Sequence, residues 1–242
     1  QVGAGLRGVV QQTALGVVWV VLQPLLASGV FAMVFKQLGA MKDASVMETL
    51  LFFMSGMVPW NTFANAVNNS SASMERNANM IRKIYFPRLI SPAAFVAGTI
   101  VDVTIALSVL IGLAAIAGEL SLYFLIVIPP MILIQFTTAL GLGFFFGSLN
   151  AQYRDVKYVI PFLLMMGLFI TVLVPLEDWD FPISYILSFN PMAAVIESIR
   201  AGLQGNPLDG WLILKGACVA VAVFILGLWF FRVREEKILD IL

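Results

Sequence analysis

The chain has 242 residues, is 60% hydrophobic and only 12% charged, and has a mean hydropathy of +0.95. A soluble domain is about half apolar and about a quarter charged, so this composition points to a bilayer as solvent. Formal net charge is zero and histidine is absent, which removes a global field for nucleic acid, the commonest metal ligand and the usual neutral-pH base.

Six apolar segments are expected as spans, at 13–35, 48–70, 94–117, 122–149, 159–175 and 211–231. Each is near the roughly 20 residues that cross a bilayer as a helix. The first is expected to remain as a span: it is too long for a signal peptide and lacks a cleavage pattern. The start at Gln1 suggests a native start further upstream. The second segment carries Asn61, Asn65, Asn68 and Asn69. Their spacing puts the amides on one helical face, which suits either a hydrated pathway or hydrogen-bonded helix packing. The fourth carries Pro129 and Pro130, where a kink or late entry is expected. It also contains Gly143 and Gly147, a cue for close packing. Gln23, Gln135 and Asp102 are further polar positions within spans. A lone membrane aspartate is either an interfacial ion-pair partner or a proton site.

Two connecting stretches stand out. The first, 71–93, holds a short helix expected from Asn79 to Tyr85 and stopped by Pro87. Its Arg82, Lys83 and Arg88 suit lipid headgroups or a groove on a partner. The second, 176–210, is too polar to span. Phe181 to Phe189 is a short apolar run, and Asn190-Pro191 reads as an N-cap with proline in the first turn. A helix from Pro191 to about Ala201 should follow, ended by Gly202. These pieces either re-enter the membrane or lie flat on it.

Lys and Arg fix the orientation. One set of ends carries Arg7, Arg76, Arg82, Lys83, Arg88, Arg154, Lys157, Arg232, Arg234 and Lys237. The other has Lys36, Lys42, Arg200 and Lys215. Both termini are therefore expected in the cytoplasm. Cys218 is the sole cysteine, so no internal disulfide or thiolate metal cluster is possible. No metal site and no catalytic residues are expected. No G-x-x-x-x-G-K-[ST] loop, HExxH or His-paired nucleophile occurs, so this chain is not expected to be an enzyme. Any ATP dependence has to come from another chain.

Several stretches together carry a family likeness. They are Gln12 to Trp19, Leu22-Gln23-Pro24-Leu25, Val58-Pro59-Trp60, Asn77 to Arg88, Asp102, Leu149 to Val156, and Asn190-Pro191-Met192. In this order they resemble the permease subunit of ABC-2-type polysaccharide exporters, which move O-antigen, capsule and teichoic-acid polymers. The resemblance implies an all-α integral membrane domain over 1–242, with six transmembrane helices in the bacterial inner membrane. It implies a homodimer with a polymer channel at its interface, a lipid-linked glycan substrate, and no role for nucleic acid. It implies a separate nucleotide-binding ATPase subunit that binds ATP and Mg, with no cofactor in this chain.

By the same resemblance, the 74–90 loop is a cytoplasmic coupling helix. Asn77, Asn79, Arg82, Lys83, Tyr85, Phe86, Arg88, Tyr153, Arg154 and Asp155 are its ATPase-coupling candidates. Trp19, Gln23, Trp60, Asn61, Asn65, Asn68 and Phe169 are channel candidates. Phe181, Tyr185, Phe189, Asn190 and Pro191 belong to a pair of short re-entrant outer gate helices between spans five and six. One departure is visible: the basic interface helix usual before the first span has no clear counterpart, since Val2 to Gln11 is mostly small and apolar with only Arg7. An ABC-2 exporter of small molecules or lipids, or a proton-coupled secondary transporter, are the alternative functions.

Overall fold

The computed structural model describes residues 14–39, 41, 43–76, 88–153 and 155–241, with side chains described over 18–234 of these. Nine α-helices lie among them: α1 Ala14–Leu38, α2 Val46–Ser71, α3 Ser73–Arg76, α4 Ile90–Ala117, α5 Leu122–Gln152, α6 Val156–Thr171, α7 Ile183–Leu187, α8 Pro191–Gln204 and α9 Gly210–Ile241. A 3-10 turn, Leu176–Asp178, precedes α7. The long helices coincide with the six apolar segments. Four are long and apolar enough to cross a membrane among the described residues: Val18–Leu38, Ile90–Ala117, Leu122–Gln152 and Gly210–Arg234. Helix α2 matches them in length but carries Glu48 and four asparagines, and α6 has only 16 residues.

The start of α2 is set by a capping box: Ser45 Oγ accepts from Glu48 N at 3.1 Å, and Ser45 N donates to Glu48 Oε2 at 2.9 Å. Helix α5 enters at Leu122, with Ser121 Oγ accepting from Tyr123 N, and runs on through Pro129 and Pro130. The late entry expected from these prolines does not occur.

Helix α5 is the centre of the bundle, with α9 and α2 packed along it. Glycines make both approaches possible. A Cβ at Gly143 would lie 2.1 Å from Ser70 Oγ of α2, and Gly147 faces the Ser70 and Ser71 backbone. On the other side, a Cβ at Gly227 of α9 would lie 2.0 Å from the Gly141 carbonyl oxygen. Polar side chains tie α5 to α2 as well. Gln135 Nε2 donates to Thr62 Oγ1 at 2.8 Å, and Asn150 Nδ2 donates to the Ser71 carbonyl at 3.2 Å. Leu51, Phe53, Met54, Met57, Phe124 and Met131 are fully buried in the apolar core, with Phe53 against Phe31 and Phe35 of α1.

Helix α6 is the exception to this packing. Only Ile160 and Thr171 of it are buried. Tyr158, Phe162, Leu163, Met165, Met166 and Phe169 stand outward on the protomer.

Filling the α2–α5 crossing tests its tightness. Gly143→Val should lower stability by about 1–3 kcal/mol, the usual range for overpacking. Gly112→Ala on α4 has open space at its Cβ. It should raise stability by about 0.5–1 kcal/mol through helix propensity. Thermal unfolding of the purified protein in one detergent reads both; equal shifts would disprove the tight crossing.

Candidate functional site

The asparagine face of α2 is directed out of the protomer. Thr62, Phe63, Ala66, Val67 and Ser70 are buried against α4 and α5, whereas Asn61 and Asn68 are half-buried and Asn65 is exposed. Among the described residues the side chains of Asn61, Asn65 and Asn68 form no hydrogen bond to another helix. The seam role inside the bundle falls instead to Thr62, Gln135 and Asn150. Asn69 accepts from Arg76 Nη1 at 3.1 Å, which ties the C-terminal end of α2 to α3.

The other channel candidates divide. Trp19, Gln23 and Phe169 are exposed on the protomer surface. Trp60 is not: only 4% of it is accessible, and its ring edge fills the space beside Gly167 of α6. Trp60 is packed between α2 and α6, where it forms part of the wall of a cavity of about 270 Å3 with Phe63, Phe146 and Leu163.

The coupling candidates Asn77, Asn79, Arg82, Lys83, Tyr85, Phe86 and Arg154 lie outside the described residues, as does Arg7. Tyr153 and Asp155 are exposed at the turn between α5 and α6. Arg88 begins the turn into α4, its carbonyl accepting from Ser91 N at 3.1 Å. Charged groups gather at this end. Lys157 Nζ is 3.9 Å from Glu75 Oε1, and Arg234 Nη1 donates to Gln152 Oε1 at 2.8 Å.

At the opposite end, α7 and α8 form the expected pair of short helices. Asn190 caps α8: its Oδ1 accepts from Met192 N at 3.0 Å, and its Nδ2 donates to Thr171 Oγ1 at 3.0 Å. Pro191 occupies the first turn and is buried. The helix does not end at Gly202. That glycine lets α8 press against Phe124 of α5, and the helix continues to Gln204, where Gly205 takes the left-handed conformation at φ 69°. Phe181, Tyr185 and Phe189 remain exposed, with Tyr185 and Phe189 edge-on at 5.4 Å between ring centroids.

Arg200 of α8 is the functional-grade group that sequence pattern alone passes over. It is 3% exposed. Its Nη1 donates to Glu197 Oε1 at 3.0 Å, its Nη2 donates to the Val172 carbonyl just beyond α6, and its guanidinium lies 4.0 Å from the centroid of the Phe52 ring. It joins α8, α2 and the end of α6 at one point. Its i,i+3 spacing from Glu197 was the available signal. A cavity of about 590 Å3 opens beside it, lined by Glu48, Thr49, Phe52, Glu119 and Gln204 among others. In its rim, partial burial pushes the Glu119 carboxyl above the usual carboxylate range, and the charge of Glu48 pushes the same way.

Residues 4–203 match the model of a family described as ABC-2 type transporter. The chain belongs to the ABC-2 type transporter family. As an ABC-2 type transporter, it is a membrane subunit, and the family implies an ATP-binding partner. Among its relatives is the O-antigen export system permease protein RfbA of Myxococcus xanthus, 24% identical over 227 residues. That match covers 92% of this chain and 86% of the relative. A Klebsiella pneumoniae protein with the same name is 26% identical over 234 residues, covering 96% of this chain and 89% of its own.

Two measurements test the Arg200 junction and its rim. Glu197 keeps 22% of its side chain accessible and can return to water, whereas Arg200 cannot. Glu197→Ala should therefore cost about 3–5 kcal/mol by stranding a buried cation, and Arg200→Met less, about 1–3 kcal/mol. Denaturation that ranks the two the other way would overturn this junction. Glu119 contributes stability while protonated, because its folded-state pKa is raised. That contribution is present at acid pH and is lost as pH rises from about 4.5 through the raised value. A Glu119→Gln protein should show a flatter fall of melting temperature across that range.

Proposed function

We propose that this chain is the transmembrane subunit of an ATP-driven exporter that moves a lipid-linked, O-antigen-like polysaccharide across the bacterial inner membrane. The observation that carries this reading is the likeness, over nearly the whole chain, to relatives whose names describe O-antigen export permeases. The match runs from the first span through the α7–α8 pair and covers most of each relative.

In this reading all six long helices span, α2 and α6 included, with both termini in the cytoplasm. Two copies assemble through the surfaces that one protomer leaves open. The uncovered aromatic and methionine side chains of α6 support that arrangement, as do the outward asparagines of α2 and the exposed face of α1. Polymer passes between the copies. Amides and aromatic rings offer sugars hydrogen bonds and stacking without tight retention, which a long moving chain requires. Phe181, Tyr185 and Phe189, on the segment that α8 anchors, form the outer gate.

ATP and Mg are held by the partner subunit. The 74–90 loop docks there and passes on its motion. The tie from Arg76 to Asn69, and from Glu75 to Lys157, connects that loop to α2 and α6, the helices that carry the open faces. Movement of the loop therefore reaches the pathway through rigid elements.

Reconstitution tests the reading directly. Vesicles holding this chain and its ATPase subunit should translocate lipid-linked glycan only when ATP is supplied. Transport by this chain alone, driven by a proton gradient, would overturn it. Charge reversal at Arg82 and Lys83 should weaken ATPase pull-down and uncouple hydrolysis from transport.

A further inference from the structure

Lys215 lies on α9, near the start of that helix at Gly210. Its ammonium sits over two rings at once, 5.2 Å from the centroid of Tyr185 and 5.4 Å from that of Phe189. It donates to Ser188 Oγ at 3.2 Å. An ammonium carries three N–H donors and no acceptor. Among the described residues no carboxylate pairs with Lys215. Glu197 is engaged by Arg200, and Asp209 accepts from the backbone N–H groups of Trp211 and Leu212. A full positive charge is thus held in a fixed place by two ring quadrupoles, with donors to spare.

The surroundings define what reaches it. Phe181 is 83% exposed, Trp211 73% and Tyr185 55%. Ile186 and Leu214 are exposed beside them. Exposed Trp and Tyr at the end of an apolar spanning helix mark the level of lipid headgroups. A lysine that merely escaped the hydrocarbon would extend its ammonium into water. Here the ammonium is folded back onto Tyr185, Phe189 and Ser188. At that level the abundant partner for an unpaired, oriented cation is a phosphate.

We infer that Lys215, fixed by Tyr185 and Phe189, binds the phosphate of a membrane lipid at the α7–α9 edge of the bundle. The ammonium donates to a phosphate oxygen. The exposed ring of Trp211 lies along the upper acyl chains. The site couples lipid to the segment bearing the outer aromatics, because the same ammonium holds Tyr185, Ser188 and Phe189 together. This inference rests on the membrane reading of the chain and not on the cargo.

The probe is a short-chain phospholipid, dioctanoyl phosphatidylglycerol, titrated into the purified full chain with its ATPase partner in detergent. Dioctanoylglycerol and inorganic phosphate serve as reference ligands. Lys215→Gln should weaken phospholipid binding about tenfold, the loss of one charge-assisted hydrogen bond, and Lys215→Arg should retain it within about threefold. Ser188→Ala frees one more donor and should leave binding equal or tighter. Binding unchanged in Lys215→Gln overturns the inference, as does an equal loss for dioctanoylglycerol. Inorganic phosphate binding as tightly as the phospholipid overturns it too, in favour of a free-anion site. Should Lys215→Gln not fold, loss of binding in Ser188→Ala still overturns it. ATP-driven glycan transport surviving in a variant that has lost lipid binding separates this site from the transport reading.

Discussion

Close approach at α5 is the constraint on which the rest of this bundle depends. Lipid tails are as apolar as leucine, so burying apolar surface gives helices in a membrane little reason to associate. Contact at short range has to supply it. Helix α5 receives α2 at Gly143 and Gly147 and α9 at Gly141, so three glycines within seven residues serve two faces. The hydrogen bonds Gln135 to Thr62 and Asn150 to Ser71 then set the register of α2 along it. Helix α8 is added to this unit by the same device, with Gly202 against Phe124 and Gly216 of α9 against Ala194.

Polar groups follow a division that this packing imposes. Thr62, Ser70 and Ser71 of α2, next to α5, are hydrogen-bonded within the chain, as is Gln135 of α5. On the outer face of α2, the side chains of Asn61, Asn65 and Asn68 make no bond to another helix among the described residues, and only Asn69 is held, by Arg76. A membrane protein that retains several amides on an outer helical face accepts a cost, because each is expensive against hydrocarbon. A hydrated pathway or a second protein surface removes that cost. Arg200 shows the opposite solution, a charge enclosed and answered by a carboxylate, a carbonyl and a ring from three different elements.

The local features were legible in the sequence, and the long-range ones were not. Helix extents followed hydropathy closely, as in 122–149 against Leu122–Gln152. The Asn190-Pro191 start of α8 was legible because a cap depends on residues adjacent in the chain. Gly202 was misread as a stop, since only the neighbouring Phe124 shows why a small residue is needed inside that helix. The Gly143–Gly147 spacing signalled a close crossing but not its partner. Gly141 and Gly227 meet without any such motif. Trp60 was a channel candidate by resemblance, and nothing in the chain reveals that Gly167, far away in sequence, makes room for its ring.

The brevity of α6 has a consequence for the polymer path. At 16 residues it is about 24 Å long, whereas the hydrocarbon core is about 30 Å thick. Its neighbour α5, with 31 residues, is nearly twice that length. In the proposed assembly the open face of α6 is turned toward the second copy, so the shortest of the long helices borders the polymer path. The apolar stretch that a polar group has to pass beside it is correspondingly short.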